Sequence, residues 1–157
     1  MAGSDHQLSQ AAYDRLKAEH DHLTTVWRIE IARKIEVARE MGDLSENGDY
    51  HAAKEEQGKT EARIGHLGAL IEQATIISHD GPLHSVVQGC IVTIIYEGDD
   101  EEERYLIGSI EERHDGAEVV SPTSPLGSAL LGAAADDLVT FHAPSGPLQV
   151  KVVRIER

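Results

Sequence analysis

Apolar residues recur at helical spacing through the first half of the chain and at strand-like spacing through the second. In the first half, the pattern predicts one long helix over about 9–41 and another over about 45–77. The polar segment 42–50 separates them. Gly42 suits a helix end, since glycine takes a left-handed conformation without a Cβ penalty. The pattern therefore predicts two helices joined by a short turn.

The two predicted helices pass a test for antiparallel pairing. In such a pair, the numbers of facing residues sum to a nearly constant value. The expected facing pairs are Ala38 with Ala53, Ile35 with Gln57, Ile31 with Thr60, Trp27 with Ile64, Leu23 with Leu67 and Leu16 with Ala74. The seam of the second helix also advances in alternating steps of four and three, which is a heptad. We therefore predict an antiparallel coiled-coil hairpin over residues 1–79, with an acidic tip at 42–50.

The second half predicts a small domain built on a sheet. Gly81 and Pro82 break the helical period, so we place a linker at 80–88 and a second domain at 89–157. Further predicted elements are strands at 90–96, 104–108, 117–120, 137–142 and 149–155, and a short helix at 124–132. Ser124 can cap that helix, and Pro125 suits its first turn. The predicted fold class is α+β, a helical hairpin followed by an antiparallel sheet.

Composition narrows the function classes. The net charge of −14 repels a nucleic-acid backbone, and the 4% of aromatic residues leaves few stacking platforms, so we expect no strong independent nucleic-acid binding. The basic residues of the arm can pair with acids on the helix surfaces or form one basic face, and the sequence leaves both open. They are Arg28, Arg33, Lys34, Arg39, Lys54, Lys59 and Arg63.

Two features of the sequence, its cysteine usage and its apolar runs, indicate the same cellular compartment. The single cysteine, Cys90, excludes an intramolecular disulfide and lies in an apolar run, so we expect a buried thiol in a reducing compartment. No apolar run approaches the roughly 20 residues that span a bilayer, and the chain does not start with a basic region followed by an apolar stretch. We expect a cytoplasmic protein with no membrane partner. The nine histidines form no two-histidine helical motif, so no zinc site is predicted.

The candidate chemistry lies at the tip, where Asp43, Glu46 and Asp49 fall within one turn. Two interpretations fit these acids. The spacing of Asp43 and Glu46 is that of a capping box, which satisfies free amides at a helix start. Exposed carboxylates on a turn can also complete a weak Mg²⁺ site, because Mg²⁺ prefers oxygen ligands.

Four sequence runs carry a family resemblance: AREMGDLSEN at 38–47, YHAAKEEQ at 50–57, SPTSPLG at 121–127 and LLG at 130–132. Together they resemble the bacterial Gre transcript cleavage factors. The resemblance covers nearly the whole chain, and its motifs stand in the family's order and separation. It implies a C-terminal domain of FK506-binding-protein-like fold that docks on RNA polymerase. It also implies that the coiled coil passes down the secondary channel to the active centre, where the polymerase cleaves the RNA 3′ end of a backtracked complex.

The resemblance assigns roles by position. Asp43 and Glu46 match the paired acids that act in catalysis and hold a Mg²⁺ shared with polymerase, only in the complex. The residues matching positions that shape the tip or contact polymerase are Arg39, Asn47, Tyr50, Ser124 and Pro125. We expect a monomer that assists the polymerase's reaction, is no enzyme by itself and binds no metal tightly when free.

Two other functions compete with this one. A Gre-like paralogue would occupy the channel and inhibit transcription without stimulating cleavage, and the sequence separates it poorly from a cleavage factor. A prolyl isomerase is suggested by the C-terminal fold, but its pocket needs several converging aromatics. This domain has only Tyr96, Tyr105 and Phe141.

Overall fold

The computed structural model describes residues 6–42, 47–78 and 81–157. The chain divides into a helical unit, Tyr13–Gln73, and a sheet unit that combines Met1–Ala12 with Ala74–Arg157. This division differs from the predicted domains 1–79, 80–88 and 89–157. The segments on both sides of the helical unit pair with each other and belong to the sheet unit.

The helical unit is a hairpin, as predicted. Its elements are α1 (Gln10–His22, which begins in the sheet unit), a π-helical turn (Leu23–Trp27), α2 (Arg28–Glu40) and α3 (Gly48–Gln73). Helices α2 and α3 pack on one another. Among the described residues of this unit, the buried apolar positions are Leu16, Ile31, Ala38, Ala53, Ile64 and Leu67. All six belong to the predicted seam, so heptad spacing identified the packed face.

The first helix is not continuous. Ile31 and Ala38 are one heptad apart, whereas Leu16 precedes Ile31 by two heptads plus one residue. The π turn absorbs that extra residue, because its wider winding lets both seam segments face the same side. Its defining bond runs from the Arg28 N–H to the Leu23 carbonyl, five residues back.

Two threonines support the π turn. The Thr24 hydroxyl donates to the His20 carbonyl at 2.9 Å, and the Thr25 hydroxyl donates to the Asp21 carbonyl at 2.6 Å. Such bonds to carbonyls four residues back compete with the backbone ladder and bend helices. This turn was not predicted, because two adjacent threonines are only a weak signal for it.

The second arm ends four residues earlier than predicted. Helix α3 stops at Gln73, and Thr75–Ile76 forms strand β2, which pairs in parallel with β1 (Gln7–Leu8). The Thr75 N–H donates to His6 O, and the Ile77 N–H donates to Leu8 O, both at 2.9 Å. The β-branched run at 75–77 favours a strand once a partner is available.

The sheet unit contains a five-stranded sheet in the order β5-β4-β3-β7-β6. Its elements are β3 (Ile91–Tyr96), β4 (Glu102–Ile107), β5 (Glu118–Val120), α4 (Pro125–Leu130), β6 (Leu138–Ala143) and β7 (Gly146–Glu156). The α+β class is confirmed. The sheet is not wholly antiparallel, however, because β5 pairs in parallel with β4. Segment 108–117 carries the chain back to Tyr105 in the middle of β4, which pairs with Glu118, so β5 runs in the same direction.

One face of the sheet and α4 enclose the core. Val86 joins this core from the predicted linker and is only 1% exposed. Its N–H donates to Ala133 O and its carbonyl accepts from Gly132 N, both at 2.8 Å. Part of the predicted linker therefore packs into the sheet unit, since Leu83 and Val87 also contact this core.

A β-bulge precedes β6. Asp136 and Asp137 together face Val152: the Asp136 N–H donates to Val152 O at 2.7 Å, and the Val152 N–H donates to Asp137 O at 2.9 Å. Asp136 has φ of +73°, the one positive φ among described non-glycine residues. Glycine is the usual first residue of this kind of bulge.

Asp136→Gly is expected to raise the free energy of unfolding of the sheet unit by roughly 0.5 kcal/mol. Relief of left-handed strain exceeds the entropy that glycine adds to the unfolded chain. Urea denaturation of the full-length protein measures this change in the free energy of unfolding, with amide exchange of β7 as the readout. Asp136→Asn is the control, because asparagine keeps the tolerance for positive φ and removes the charge. A glycine variant less stable than wild type would contradict the explanation.

Candidate functional site

The predicted tip lies between two helix ends that the structure describes. Helix α2 ends at Glu40 and α3 begins at Gly48. The two acids assigned by position, Asp43 and Glu46, lie in this connection and outside the described residues. Asp49 is exposed in the first turn of α3.

Asn47 bonds to both helices. Its side-chain Oδ1 accepts from the Tyr50 N–H at 3.1 Å, which is the N-cap bond of α3. Its Nδ2 donates to the carbonyl of Ala38 in the last turn of α2. Its own carbonyl accepts from the His51 N–H at 3.1 Å. One side chain thus connects the end of α2 to the start of α3.

The other two predicted tip residues lie close by in sequence. Tyr50 is half-buried, and its ring meets that of His51 edge to face, with centroids 5.6 Å apart. Arg39 is exposed in the last turn of α2. The helix ends therefore carry a guanidinium, an amide and an aromatic pair on the flanks of the acidic connection.

A groove below the tip was not predicted. It has a volume of about 290 Å³ and is lined by Lys34, Val37, Ala38, Met41, Asp49 and Ala52. Val37 and Met41 are 53% and 68% exposed, so the groove presents accessible apolar surface. The sequence signal for this groove was that Val37 and Met41 are apolar but do not lie on the heptad seam.

Many basic residues of the arm form ion pairs with acidic residues. The pairs that join the two sides of the hairpin are Arg28 with Glu61 (2.9 Å), Lys34 with Glu56 (2.8 Å) and Arg63 with Glu19 (2.9 Å). Lys59 pairs with Glu55, four residues earlier in α3, at 3.1 Å. Four of the seven basic residues considered above are therefore engaged with acids.

These pairs perturb the acids they contact. The hydrogen bond from Lys34 lowers the pKa of the Glu56 carboxyl, and the bond from Arg28 lowers the pKa of the Glu61 carboxyl. The Trp27 indole N–H also donates to Glu56, with a smaller lowering effect. A lowered folded-state pKa stabilises the fold above the unfolded pKa, near 4.3, and this contribution disappears as the pH falls through the folded value.

Acidification is therefore expected to loosen the hairpin. Because these pairs are exposed, we expect a modest loss of helical circular dichroism below about pH 4, accompanied by a change in the fluorescence of Trp27, the only tryptophan. Glu56→Gln should remove the acid-induced step in the fluorescence. A wild-type fluorescence signal that stays constant through this range would contradict the assigned pairing.

The second predicted region, around Ser124 and Pro125, forms a compact cap. Ser124 Oγ donates to Ser121 O at 2.7 Å and accepts from the Gly127 N–H at 3.0 Å. Pro125 is the first residue of α4, as expected. A Cβ on Gly127 would lie 2.0 Å from Ser121 O, so the backbone approach here requires glycine.

Both halves of the chain match models of one protein family. Residues 6–76 match the N-terminal domain of transcription elongation factors, and residues 77–157 match the GreA/GreB C-terminal domain. The chain belongs to the GreA/GreB family. It is 43% identical to transcription elongation factor GreA of Streptomyces coelicolor over 151 residues, which cover 95% of this chain and 92% of the relative. It is 44% identical to GreA of Saccharopolyspora erythraea over 153 residues, which cover 95% and 93%.

A solved structure is also similar. GreA factor homolog 1 (Gfh1) of Thermus thermophilus is 26% identical, with 96% of this chain and 98% of that chain covered and a TM-score of 0.43.

Three further observations concern metal ligands, the aromatic residues of the sheet unit and membrane-spanning helices. Within residues 6–42, 47–78 and 81–157, no three histidine, cysteine or acidic side chains form a group that could hold a metal. Of the aromatics considered for a prolyl-isomerase pocket, Tyr105 and Phe141 are buried in the core and Tyr96 packs against it. No described helix is long and apolar enough to cross a bilayer.

Proposed function

We propose that this protein is a transcription elongation factor that enters the secondary channel of RNA polymerase and stimulates the polymerase's own cleavage of backtracked RNA. The observation that carries the proposal is a helical hairpin, in a GreA/GreB family member, whose helices α2 and α3 are joined by the segment holding Asp43 and Glu46. The sheet unit is proposed to dock on the polymerase, with Ser124 and Pro125 among the contacting residues.

The tip acids are proposed to act only in the complex. Carboxylate oxygens suit Mg²⁺, and Asp43 and Glu46 would hold it together with polymerase groups. A Mg²⁺ ion in such a site supplies an activated water and stabilises charge on the reacting phosphate. Two carboxylates leave most of the metal's shell to water, so the free protein should bind Mg²⁺ weakly. The protein is therefore a cofactor of the polymerase and not an enzyme by itself.

Further parts of the proposal concern partners and location. The partners are bacterial RNA polymerase and, through it, the backtracked RNA 3′ end. The acidic net charge of −14 supports the absence of strong direct binding to nucleic acid. The protein is proposed to act as a monomer in the cytoplasm, where the polymerase transcribes.

The test is cleavage of 3′-end-backtracked RNA by the cognate polymerase, with wild type and with Asp43→Asn plus Glu46→Gln. Wild type should accelerate cleavage, and the double variant should lose the acceleration by about a hundredfold or more, as for removal of catalytic charge stabilisation. The matched control is Asp100→Asn plus Glu101→Gln. It removes the same two charges from an exposed turn of the sheet unit and should cleave like wild type.

Binding to the polymerase is measured in parallel. Both double variants should bind as tightly as wild type, because neither changes the core or the cap at Ser124. A wild-type protein that binds polymerase and inhibits transcription without stimulating cleavage would overturn the proposal in favour of a channel-blocking paralogue.

A further inference from the structure

The side-chain amide of Asn47 makes two different hydrogen bonds, one through its oxygen and one through its nitrogen. The oxygen caps α3 by accepting from the Tyr50 N–H, and the nitrogen donates to the Ala38 carbonyl of α2. Ala38 is 3% exposed, and the same carbonyl accepts from the Met41 N–H at 3.2 Å. The last turn of α2 is therefore connected to the first turn of α3 by one amide group.

This arrangement explains the residue type at position 47. Aspartate, serine and threonine cap helices about as well as asparagine, since each offers an oxygen acceptor. An ionised aspartate has no donor, and a serine hydroxyl is too short to serve as cap and reach a second helix together. Capping alone would accept any of them, whereas the bond to Ala38 requires asparagine.

We propose that Asn47 is a positioning residue for the tip acids and acts through its Nδ2 bond to Ala38. That bond holds the end of α2 and the start of α3 at one separation, and these are the two ends of the segment that carries Asp43 and Glu46. The inference rests on the proposed cleavage function. Small displacements of groups that position a reaction reduce its rate steeply, so loss of the bond is expected to reduce stimulated cleavage about tenfold or more.

Three variants distinguish the hydrogen bond to Ala38 from the capping of α3. Asn47→Asp and Asn47→Ser keep an acceptor for the Tyr50 N–H and lose the donor to Ala38. Asn47→Ala loses both. Aspartate also places a negative charge near the Ala38 carbonyl and serine does not, so agreement between the two excludes a charge effect.

The structural readout needs no polymerase. In full-length protein, the NMR carbonyl resonance of Ala38 should shift in all three variants, because each removes the side-chain donor. Protection of the Tyr50 amide from hydrogen exchange should survive in Asn47→Asp and Asn47→Ser and fall in Asn47→Ala. An Ala38 carbonyl resonance that is unchanged in Asn47→Ser would overturn the assigned bond.

The functional readout is the Mg²⁺ dependence of stimulated cleavage. Asn47→Asp and Asn47→Ser should lower the maximal rate about tenfold and raise the Mg²⁺ concentration for half-maximal cleavage, with polymerase affinity unchanged. A variant that was merely less stable would not shift the metal dependence. Asn47→Ser cleavage equal to wild type would overturn the inference and leave the proposed function intact. Wild type indistinguishable from the Asp43→Asn plus Glu46→Gln variant would overturn both.

Discussion

Gly127→Ala is expected to lower the free energy of unfolding of the sheet unit by about 3 kcal/mol, at the upper end of the range for overpacked cores. The added Cβ would lie 2.0 Å from the carbonyl oxygen of Ser121 and 2.9 Å from its carbon. That carbonyl cannot withdraw without cost, because it accepts bonds from the Ser124 hydroxyl and the Ser124 N–H. Accommodation would therefore disrupt the cap of α4 and the packing of Leu130, which is fully buried.

Thermal unfolding of the full-length protein measures this change, and amide exchange of β3 and β7 is its readout. For a unit of this size the change corresponds to a drop of roughly 10–20 °C in midpoint. The matched control is Gly58→Ala. Gly58 is exposed within α3, and no described atom would meet an added Cβ, so alanine should stabilise that helix by about 1 kcal/mol. A Gly127→Ala protein as stable as wild type would refute the close approach.

If the sheet unit docks as proposed, polymerase binding should fall only in the variant that destabilises this unit. Gly127→Ala should weaken binding at temperatures where the sheet unit unfolds, and Gly58→Ala should leave binding unchanged. Loss of binding in Gly58→Ala would show that the affinity depends on something other than the integrity of the sheet unit.

Glu112→Ala is expected to cost about 3 kcal/mol in the stability of the same unit. Glu112 is 5% exposed, and its carboxylate accepts from the Ser9 N–H at 3.0 Å and from the Ser9 hydroxyl at 2.6 Å. Hydrogen bonds to charged groups contribute about 1.5–3 kcal/mol each, and truncation leaves the part-buried Ser9 donors without this acceptor. The N-terminal segment that contains β1 should therefore detach more readily.

Amide exchange at Ile77 reports this detachment, since its N–H is bonded to Leu8 O in the small parallel sheet. Glu112→Gln should lose less stability, because the amide retains an oxygen acceptor. Ser9→Ala combined with Glu112→Ala should cost less than the sum of the two single changes, because the residues share these bonds. The control is Glu101→Ala at an exposed position. Strict additivity in the double variant would contradict a direct Ser9 to Glu112 interaction.

Residues close together in sequence determined much of this protein. The heptad positions identified all six buried seam residues in the described part of the hairpin, from Leu16 to Leu67. The β-branched run 91–96 located β3, and Ser124 with Pro125 predicted the start of α4. These predictions succeeded because helix period, strand alternation and capping depend on neighbours a few residues away.

The tertiary structure decided what depends on distant partners. Glu112 had no sequence signal, because its partner Ser9 lies 103 positions away. Strand β2 replaced the last turn of α3 only because β1 was present to pair with it. The π turn had only a weak sequence signal, the adjacent Thr24 and Thr25, and the backbone bond from Arg28 to Leu23 that defines it is seen only in the structure.

The same distinction holds at the tip. Family motifs marked Asn47 together with the acids Asp43 and Glu46, whereas the bond from Asn47 to the Ala38 carbonyl is known only from the folded chain. A single sequence records which groups each residue offers. Which donor meets which acceptor across two helices is set by the packing that brings them together, and that is why the fold class was predictable and the long-range contacts were not.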